Sequence, residues 1–487
     1  MDVEIRKPLI LSATTLRLFE MCARRIWLDE YGNREVRDEI SLITAQILAR
    51  GVEHEEAIQR ATTKQIKPIL ITKWEDGIRA TQGLMRYGAS VIMGAHLEHT
   101  FHLDGFSRPI VLRGKVDRLV RLSDDDTYRS VYVPIEIKRY AKLAQADLLQ
   151  LDAYVWLLSQ TQGHKSDSEF WLGMNHDGLP SERIRHEYDE DRLMAVLTAV
   201  IHQLDPDTAE PPIEIKQHCR TCHWYSACRS ITQKRLDVNL LSLREDTRFA
   251  LRDAGIKTLH QLIALAPDDL RQFKGIKTTA EAIHAHARSY CETKPIWFNE
   301  LPEKCREKGF FFDIETDPIT QEVWSIGWSD GSDEVQTVIV APTKRQYALA
   351  LPDGKTIIVV PDADTAWRVF AEGVSGVDSP VYHWSGFDAG MMHRTAPDDV
   401  IEQLAGRLYD LLKTFNQCVK FPVRGASLKT VAAYLEFNWS IYASWEAAFR
   451  DYNQWLADDD VHYLARACAY QRDDVVALAL MWHWLNK

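Results

Sequence analysis

Four cysteines constrain this chain more than any other feature. Cys22 stands alone near the N-terminus, and Cys219, Cys222 and Cys228 follow far along the chain in HCRTCHWYSACR. A lone cysteine and a distant trio suggest one metal centre stapling two chain ends, so the stretch between must fold back to its start. The chain has eight cysteines, and MDVEIRKPLILSATTLRLFE lacks the long apolar run of a secretion signal. That combination points to a reducing, cytoplasmic setting in which thiolates stay available to metal. Four thiolates hold either zinc or an iron–sulfur cluster. Zinc ligands usually come as two local C-x2-C pairs, and here Cys22 is isolated, so zinc, another metal group and no metal are left open.

The 487 residues are enough for two or three domains. A formal charge of -12 argues against a generally basic coat for nucleic acid. It does not exclude nucleic acid, because clustered metal-binding carboxylates raise the acidic count. No run of about 18 apolar residues appears, so no membrane span is expected. No G-x-x-x-x-G-K-[ST] loop is present, so the chain carries no recognisable ATP motor, and a separate helicase or ATPase becomes a reasonable partner if duplex must be opened. Residues 1–232 read as one unit ending at the cysteine trio. Residues 233–294 read as short helices with Gly-centred turns, and 295–487 as a second α/β unit.

Inside the cysteine bracket, RSVYVPIEIKRY alternates apolar and polar residues as a half-buried strand does. Glu136 and Lys138 are two apart and so share a face. RPIVLRGKVDRLVRL reads as a neighbouring strand carrying Asp117. Two carboxylates on adjacent strands can hold a hard cation such as Mg²⁺ or Mn²⁺, with a lysine beside them to position water or stabilise phosphorane charge. His54 lies in a helical pattern, RGVEHEEAI, and Gln150 and Tyr154 sit four apart on one helix face in LQLDAYVWL. An E-x-K strand alone is usually a solvated face, and a single helical histidine is usually structural. Taken together and in order, these pieces resemble the RecB-family nuclease module of the PD-(D/E)XK superfamily, over roughly residues 8–232. One departure is that a proline, Pro134, precedes Ile135-Glu136. The resemblance implies a restriction-endonuclease-like α/β core and a metal site on His54, Asp117, Glu136 and the Ile137 carbonyl. It also implies a catalytic Lys138 assisted by Gln150 and Tyr154, and a [4Fe–4S] cluster on Cys22, Cys219, Cys222 and Cys228.

The middle segment, FALRDAGIKTLHQLIALAPDDLRQFKGIKTTAEAIHAHARSY, resembles a helix-hairpin-helix DNA-binding element. Gly255 and the Gly275-Ile276-Lys277 turn would expose backbone N–H groups to phosphate. Residues 233–294 hold 11 Lys/Arg against 8 Asp/Glu, mildly basic within an acidic chain. A packing linker is the plainer alternative.

In the last segment, GFFFDIETD places Asp313 and Glu315 on one face of an apolar strand. Aligned carboxylates there are costly unless they bind cations. VYHWSGFDAGMM adds Asp388, and AYQRDDVVALAL adds Tyr470 and Asp474 on one helix face, with Asp473 as the competing acid. Asp410 in LYDLLK reads as a supporting residue. Tyr382, Trp384 and Phe387 could stack bases, although core packing is the commoner use of such aromatics. This set resembles the DEDDy exonucleases of the DnaQ-like, ribonuclease-H-like superfamily, over about residues 308–485. The resemblance implies Asp313, Glu315, Asp388 and Asp474 on Mg²⁺ or Mn²⁺, with Tyr470 orienting water. The expectation is therefore a multidomain α/β protein: a restriction-endonuclease-like core, a small helical hairpin domain and a ribonuclease-H-like domain. It would hydrolyse nucleic acid, DNA favoured, at two metal sites. The rivals are a binding scaffold with inactive sites and an RNA-processing exonuclease with structural zinc.

Overall fold

The computed structural model describes residues 7–40, 42–63, 73–122, 131–140, 142–277, 279–317, 320–376 and 378–487. Residues 1–6 and the 129–130 start of the expected second strand lie outside them. The chain divides into two compact units, Met1–Ile231 and Thr232–Lys487, and the segment 233–294 falls within the second.

The first unit is a six-stranded sheet of β1 (Leu9–Ser12), β2 (Val91–Phe101), β3 (Ile110–Arg121), β4 (Tyr132–Lys138), β5 (Ser168–Leu172) and β6 (Glu182–His186). Its helices are α1 (Ala13–Met21), α2 (Ala23–Tyr31), α3 (Leu42–Thr62), α4 (Trp74–Tyr87), α5 (Gln145–Gln162) and α6 (Glu190–Gln203), and α7 (Tyr225–Arg235) follows. The sheet order is β1-β3-β4-β5-β6, with β2 along the other edge of β3. On their shared edge, β1 runs parallel to Ile110–Arg113 and β4 runs antiparallel to Arg118–Arg121. The edge of β3 thus changes partner across Gly114–Asp117. There the Asp117 carboxylate takes the place of a ladder carbonyl and accepts the Ile137 N–H at 2.8 Å.

Helix α5 lies against β2, β3 and β4 on one side and α1 and α6 on the other. From Ala146 to Leu158 only Leu148 escapes full burial, the pattern of a core helix with no solvent face. Its polar side chains are therefore partnered: Asp147 with Arg17 at 2.8 Å, Asp152 with His186 at 2.7 Å. A Cβ on Gly114 would lie 2.8 Å from the Tyr154 ring, so only glycine lets α5 approach β3 this closely.

The second unit opens with α8 (Glu245–Asp253), α9 (Leu259–Ile263), α10 (Pro267–Leu270) and α11 (Ala280–Glu292), packed around Leu251, Leu259, Leu262, Leu270 and Ile276. A two-residue pair, β7 (Ile296–Trp297) with β15 (Val419–Lys420), follows. The main sheet has β8 (Phe310–Thr316), β9 (Val323–Ser329), β10 (Gln336–Val340), β11 (Tyr347–Ala350), β12 (Thr356–Val360), β13 (Val381–His383) and β14 (Leu408–Asp410), in the order β11-β12-β10-β9-β8-β13-β14. Around it lie α12 (Ala363–Gly373), α13 (Gly386–Thr395), α14 (Asp398–Leu404), α15 (Leu411–Cys418), α16 (Leu428–Tyr434), α17 (Trp445–Asp458) and α18 (Val461–Leu485). Strand β8 is interior, flanked by antiparallel β9 and parallel β13. One of its faces sends Phe312 and Ile314 into a core with Trp367 and Phe370, while Phe311 packs with Tyr382 and Trp482. Among the described residues no helix is long and apolar enough to cross a membrane.

Candidate active sites

The first unit brings Asp117, Glu136, Lys138, Gln150 and Tyr154 together. The Lys138 ammonium lies 2.6 Å from Glu136 Oε1, and Gln150 Nε2 donates to the same oxygen at 3.0 Å. Gln150 also reaches the Tyr154 hydroxyl at 2.8 Å, a contact that their spacing of four on α5 makes possible. Ile137 supplies the N–H held by Asp117. Glu136 Oε2 is buried with no hydrogen-bond partner among the described residues, and so is His54 Nε2. Burial pushes the Asp117 carboxyl well above its ordinary range, reinforced by the nearby charges of Glu136 and Glu55. Burial raises Glu136 too, against the pull of Lys138. His54 is pushed down by burial, then by Arg139, so it stays neutral and keeps a ring nitrogen able to ligate. Burial and the same two acids hold the Tyr154 phenol protonated.

In the second unit, Asp313, Glu315 and Asp474 each offer a carboxylate oxygen, all within 4.8 Å of one another. Asp313 and Glu315 come from β8 and Asp474 from α18. Asp388 enters at the third position of α13, buried, and adds its charge to the environment of both β8 acids. Burial is the main cause that drives Asp313, Glu315 and Asp474 upward, and Asp388 is pushed up to about 7. Asp473 faces elsewhere, accepting from the Ser440 N–H at 2.6 Å and its hydroxyl at 2.7 Å. Asp410 caps α15 through the Lys413 N–H at 2.9 Å. Tyr470 is buried and touches the Lys429 ammonium. Burial and the surrounding acids raise its phenol so far that it can donate a proton in a hydrogen bond but cannot act as a base. Of the three aromatics near Asp388, Tyr382 and Trp384 are buried and only Phe387 is exposed.

Glu136 Oε2 and Asp313 Oδ2 are buried oxygens with no protein donor among the described residues, which suits a cation at each centre. In the second, three carboxylates within 4.8 Å need a positive charge to stay ionised; the first centre's groups do not come that close together among the described residues. Asp117, Glu136 and His54 would hold an ion in the first, with the Ile137 carbonyl at hand. Asp313, Glu315 and Asp474 would hold one in the second, with Asp388 alongside. Such an ion supplies Lewis-acid stabilisation of phosphoryl charge and lowers the pKa of water. The protein's own part is positional: Lys138 stands beside Glu136, where its ammonium can meet an anionic oxygen, and Tyr470 presents a neutral hydroxyl.

Several neighbours of these sites escaped the sequence reading. Lys429 lies 3.5 Å from Asp474 Oδ2, and the Trp439 indole N–H donates to Asp474 Oδ1 at 2.8 Å. Gln471 is buried and donates to the Asp313 carbonyl at 3.2 Å. Glu55, next to His54, adds charge to the first centre. The signal for Lys429 and Trp439 was the segment ASLKTVAAYLEFNW itself, whose residues have no spacing relation to Asp474.

Cys22, Cys219, Cys222 and Cys228 line one small cavity, and none of them is in a disulfide. Cys22 ends α1, and Cys219 and Cys222 lie in a tight turn before α7, which carries Cys228. Burial raises the thiols of Cys22, Cys222 and Cys228, and charges of the sister cysteines add to the rise. Among the described residues no three of these sulfurs lie within 4.8 Å of one another. In the helical segment, Gly255 and Gly275 take left-handed backbone at φ 83° and 82°. A Cβ on Gly275 would come within 2.4 Å of Thr247 Oγ1. The Ile276 side chain is in the core and its N–H bonds to the Phe273 carbonyl at 3.2 Å, while Lys277 is exposed.

Two family models match the chain. Residues 10–229 match that of the PD-(D/E)XK nuclease superfamily, and residues 310–486 that of the RNase H superfamily. The chain joins two nuclease-superfamily domains. Both superfamilies consist of metal-dependent nucleases that hydrolyse phosphodiester bonds, so this is an enzyme of that kind, one that binds nucleic acid and uses divalent metal. No curated protein matches the chain. The crystal structure of SSO0001 is similar over 47% of this chain and 89% of its own, at 16% identity and a TM-score of 0.26.

Proposed function

We propose that the chain is a two-site nuclease acting on DNA, with single-stranded ends as its substrate, in repair, processing or defence against foreign DNA. The observation that carries this reading is the second centre, where the carboxylate oxygens of Asp313, Glu315 and Asp474 converge within 4.8 Å; in each matched domain one buried carboxylate oxygen lacks any protein donor among the described residues. The roles in this reading are as follows. His54, Asp117, Glu136 and Ile137 hold the first ion and Lys138 acts on the phosphate, oriented by Gln150 and Tyr154. Asp313, Glu315, Asp388 and Asp474 hold the second, with Tyr470 orienting the water. The mildly basic segment 233–294, with its left-handed glycines, is the helix-hairpin-helix contact to DNA, made through Gly255, Gly275 and Lys277. Its main-chain contacts would favour neither strand sequence nor base. The protein works in the cytoplasm, and a separate helicase opens duplex for it.

In this reading Cys22, Cys219, Cys222 and Cys228 bind a [4Fe–4S] cluster that ties the start of the nuclease domain to its end. Absorption near about 400 nm in anaerobically purified protein, lost in Cys22→Ala, is expected. Stoichiometric zinc without that absorption would replace the cluster.

The test of function is cleavage of end-labelled single and double strands of DNA and RNA with Mg²⁺ or Mn²⁺. Lys138→Ala and Asp313→Ala should each remove a different part of the product pattern. A wild type that leaves every substrate intact makes the chain a binding scaffold, and preference for RNA moves it to RNA processing.

A further inference from the structure

A groove of about 830 Å³ runs between the helical segment and the RNase H domain within the second unit. One wall comes from residues 241–286, outside both matched ranges, and the other from α15, α16 and the loops before α13 and α16. Among the described residues its lining contains two cations, Arg244 and Lys420, and no carboxylate, although Arg244 also lies 3.5 Å from Asp246 outside the lining. That is unusual in a chain with a net charge of -12. Lys420 is half-buried, and its ammonium bonds only the neutral Asn416 Oδ1, at 2.8 Å. Among the described residues it has no acidic partner, and a desolvated ammonium without a counter-ion is costly. Burial pulls its pKa down to about 8. Half-exposed Leu243, Ile283 and Leu412 supply an apolar surface beside it.

The groove also touches the second centre's own elements. Ser385 in its wall stands three residues before Asp388, and Ser427 two residues before Lys429. Each serine caps the helix that carries the site residue, through Phe387 N–H at 3.3 Å and Thr430 N–H at 3.3 Å. The groove and the second centre thus share the two helices α13 and α16.

We propose that this groove seats a stretch of single-stranded nucleic acid next to the scissile end, with phosphates at Lys420 and Arg244 and bases against the apolar wall. The inference rests on reading the second centre as an exonuclease site. It assigns Lys420 a substrate-positioning role and gives the helical segment a function besides any duplex contact. An anionic strand with apolar bases matches both halves of the lining, and a peptide partner would need acidic residues to match the cations.

The experiment uses the full chain in a Lys138→Ala background, so that the second centre alone is read. Two variants are compared with that parent: Lys420→Met, which removes the cation, and Ala282→Trp, which fills the groove from α11. The substrates are a fluorescein-labelled single strand of about 20 nucleotides, longer than a one-domain footprint, and the p-nitrophenyl ester of thymidine 5′-monophosphate, too small to reach the groove. Both variants should raise KM for the strand about tenfold, the worth of one charge-assisted contact, with kcat and hydrolysis of the small ester unchanged. Unchanged KM for the strand in both variants overturns the proposal. If the parent cleaves neither substrate, the exonuclease reading fails on its own. Anisotropy of the strand in EDTA then decides the groove: weaker binding by both variants supports it, and equal binding overturns it. Lys420→Met should melt no lower than the parent, because it removes a desolvated charge, so weakened binding cannot be ascribed to unfolding.

Discussion

Replacing Asp313 by asparagine should stabilise the metal-free protein while destroying its response to metal. Asp313 is one of three carboxylates whose oxygens fall within 4.8 Å, and its Oδ2 is buried with no donor among the described residues. At that distance and an effective dielectric near 20, two unit charges repel by about 3 kcal/mol. Proton uptake limits the cost, because burial followed by the charge of Asp474 raises the Asp313 pKa well above its unfolded value. The sign follows from linkage. A carboxyl whose folded pKa is raised contributes its stability at low pH and loses it as pH rises through that raised pKa. The amide of the Asp313→Asn variant does not titrate, so its advantage should be small near pH 5 and grow toward pH 8. A gain of about 2 kcal/mol corresponds to roughly 4–8 °C in the melting of a unit this size. The assay is calorimetric melting in EDTA at pH 5 and pH 8, then with Mn²⁺. The wild type should gain on adding Mn²⁺, and Asp313→Asn should gain little. A variant that melts no higher than wild type in EDTA at pH 8, and still rises with Mn²⁺, would refute the argument that these acids need a cation.

Three other outcomes follow from single contacts. Gly114→Ala places a methyl 2.8 Å from the Tyr154 ring and should lower the stability of the first unit by about 1–3 kcal/mol; unchanged melting would mean that α5 can back away from β3 freely. His286, whose Nε2–H donates to the Val423 carbonyl at 2.9 Å, is pushed down to about 4 by burial. It is therefore neutral when folded, and the second unit should lose on the order of 2 kcal/mol as pH falls from about 6.5 toward 4. A His286→Gln variant should flatten that stretch of the stability–pH curve, and an equal slope in both proteins counts against the assignment. Trp439→Phe removes the indole donor to Asp474 and should slow strand cleavage in the Lys138→Ala background about tenfold, with binding in EDTA unaltered.

Strand spacing made much of each centre readable in advance. Side chains two apart share a face, so Glu136 with Lys138 and Asp313 with Glu315 were pairs before any fold was known. Residues four apart on a helix gave Gln150 with Tyr154 in the same way. Choosing between Asp473 and Asp474 was harder, because adjacent helix positions differ only in the direction they face. Packing of α18 against β8 buries Asp474, and the Ser440 loop takes Asp473. Lys429, Trp439 and Glu55 carry no periodic relation to the acids they meet. The aromatic trio shows the same limit: Tyr382, Trp384 and Phe387 lie in one short stretch, yet β13 buries the first and Phe387 alone reaches solvent.

What the sequence determined by itself is local: which residues share a strand face or helix face, where glycine permits a left-handed turn, and that four cysteines bracket one nuclease-like segment. Tertiary structure decided everything that depends on distance across the chain. It set the partner switch on β3 that frees Asp117 to hold Ile137, the convergence of β8 and α18 on three carboxylates, and the groove where Lys420 meets no acid among the described residues. Spacing encodes direction along one element, whereas desolvation and charge repulsion depend on which elements meet, and only the packed fold specifies that.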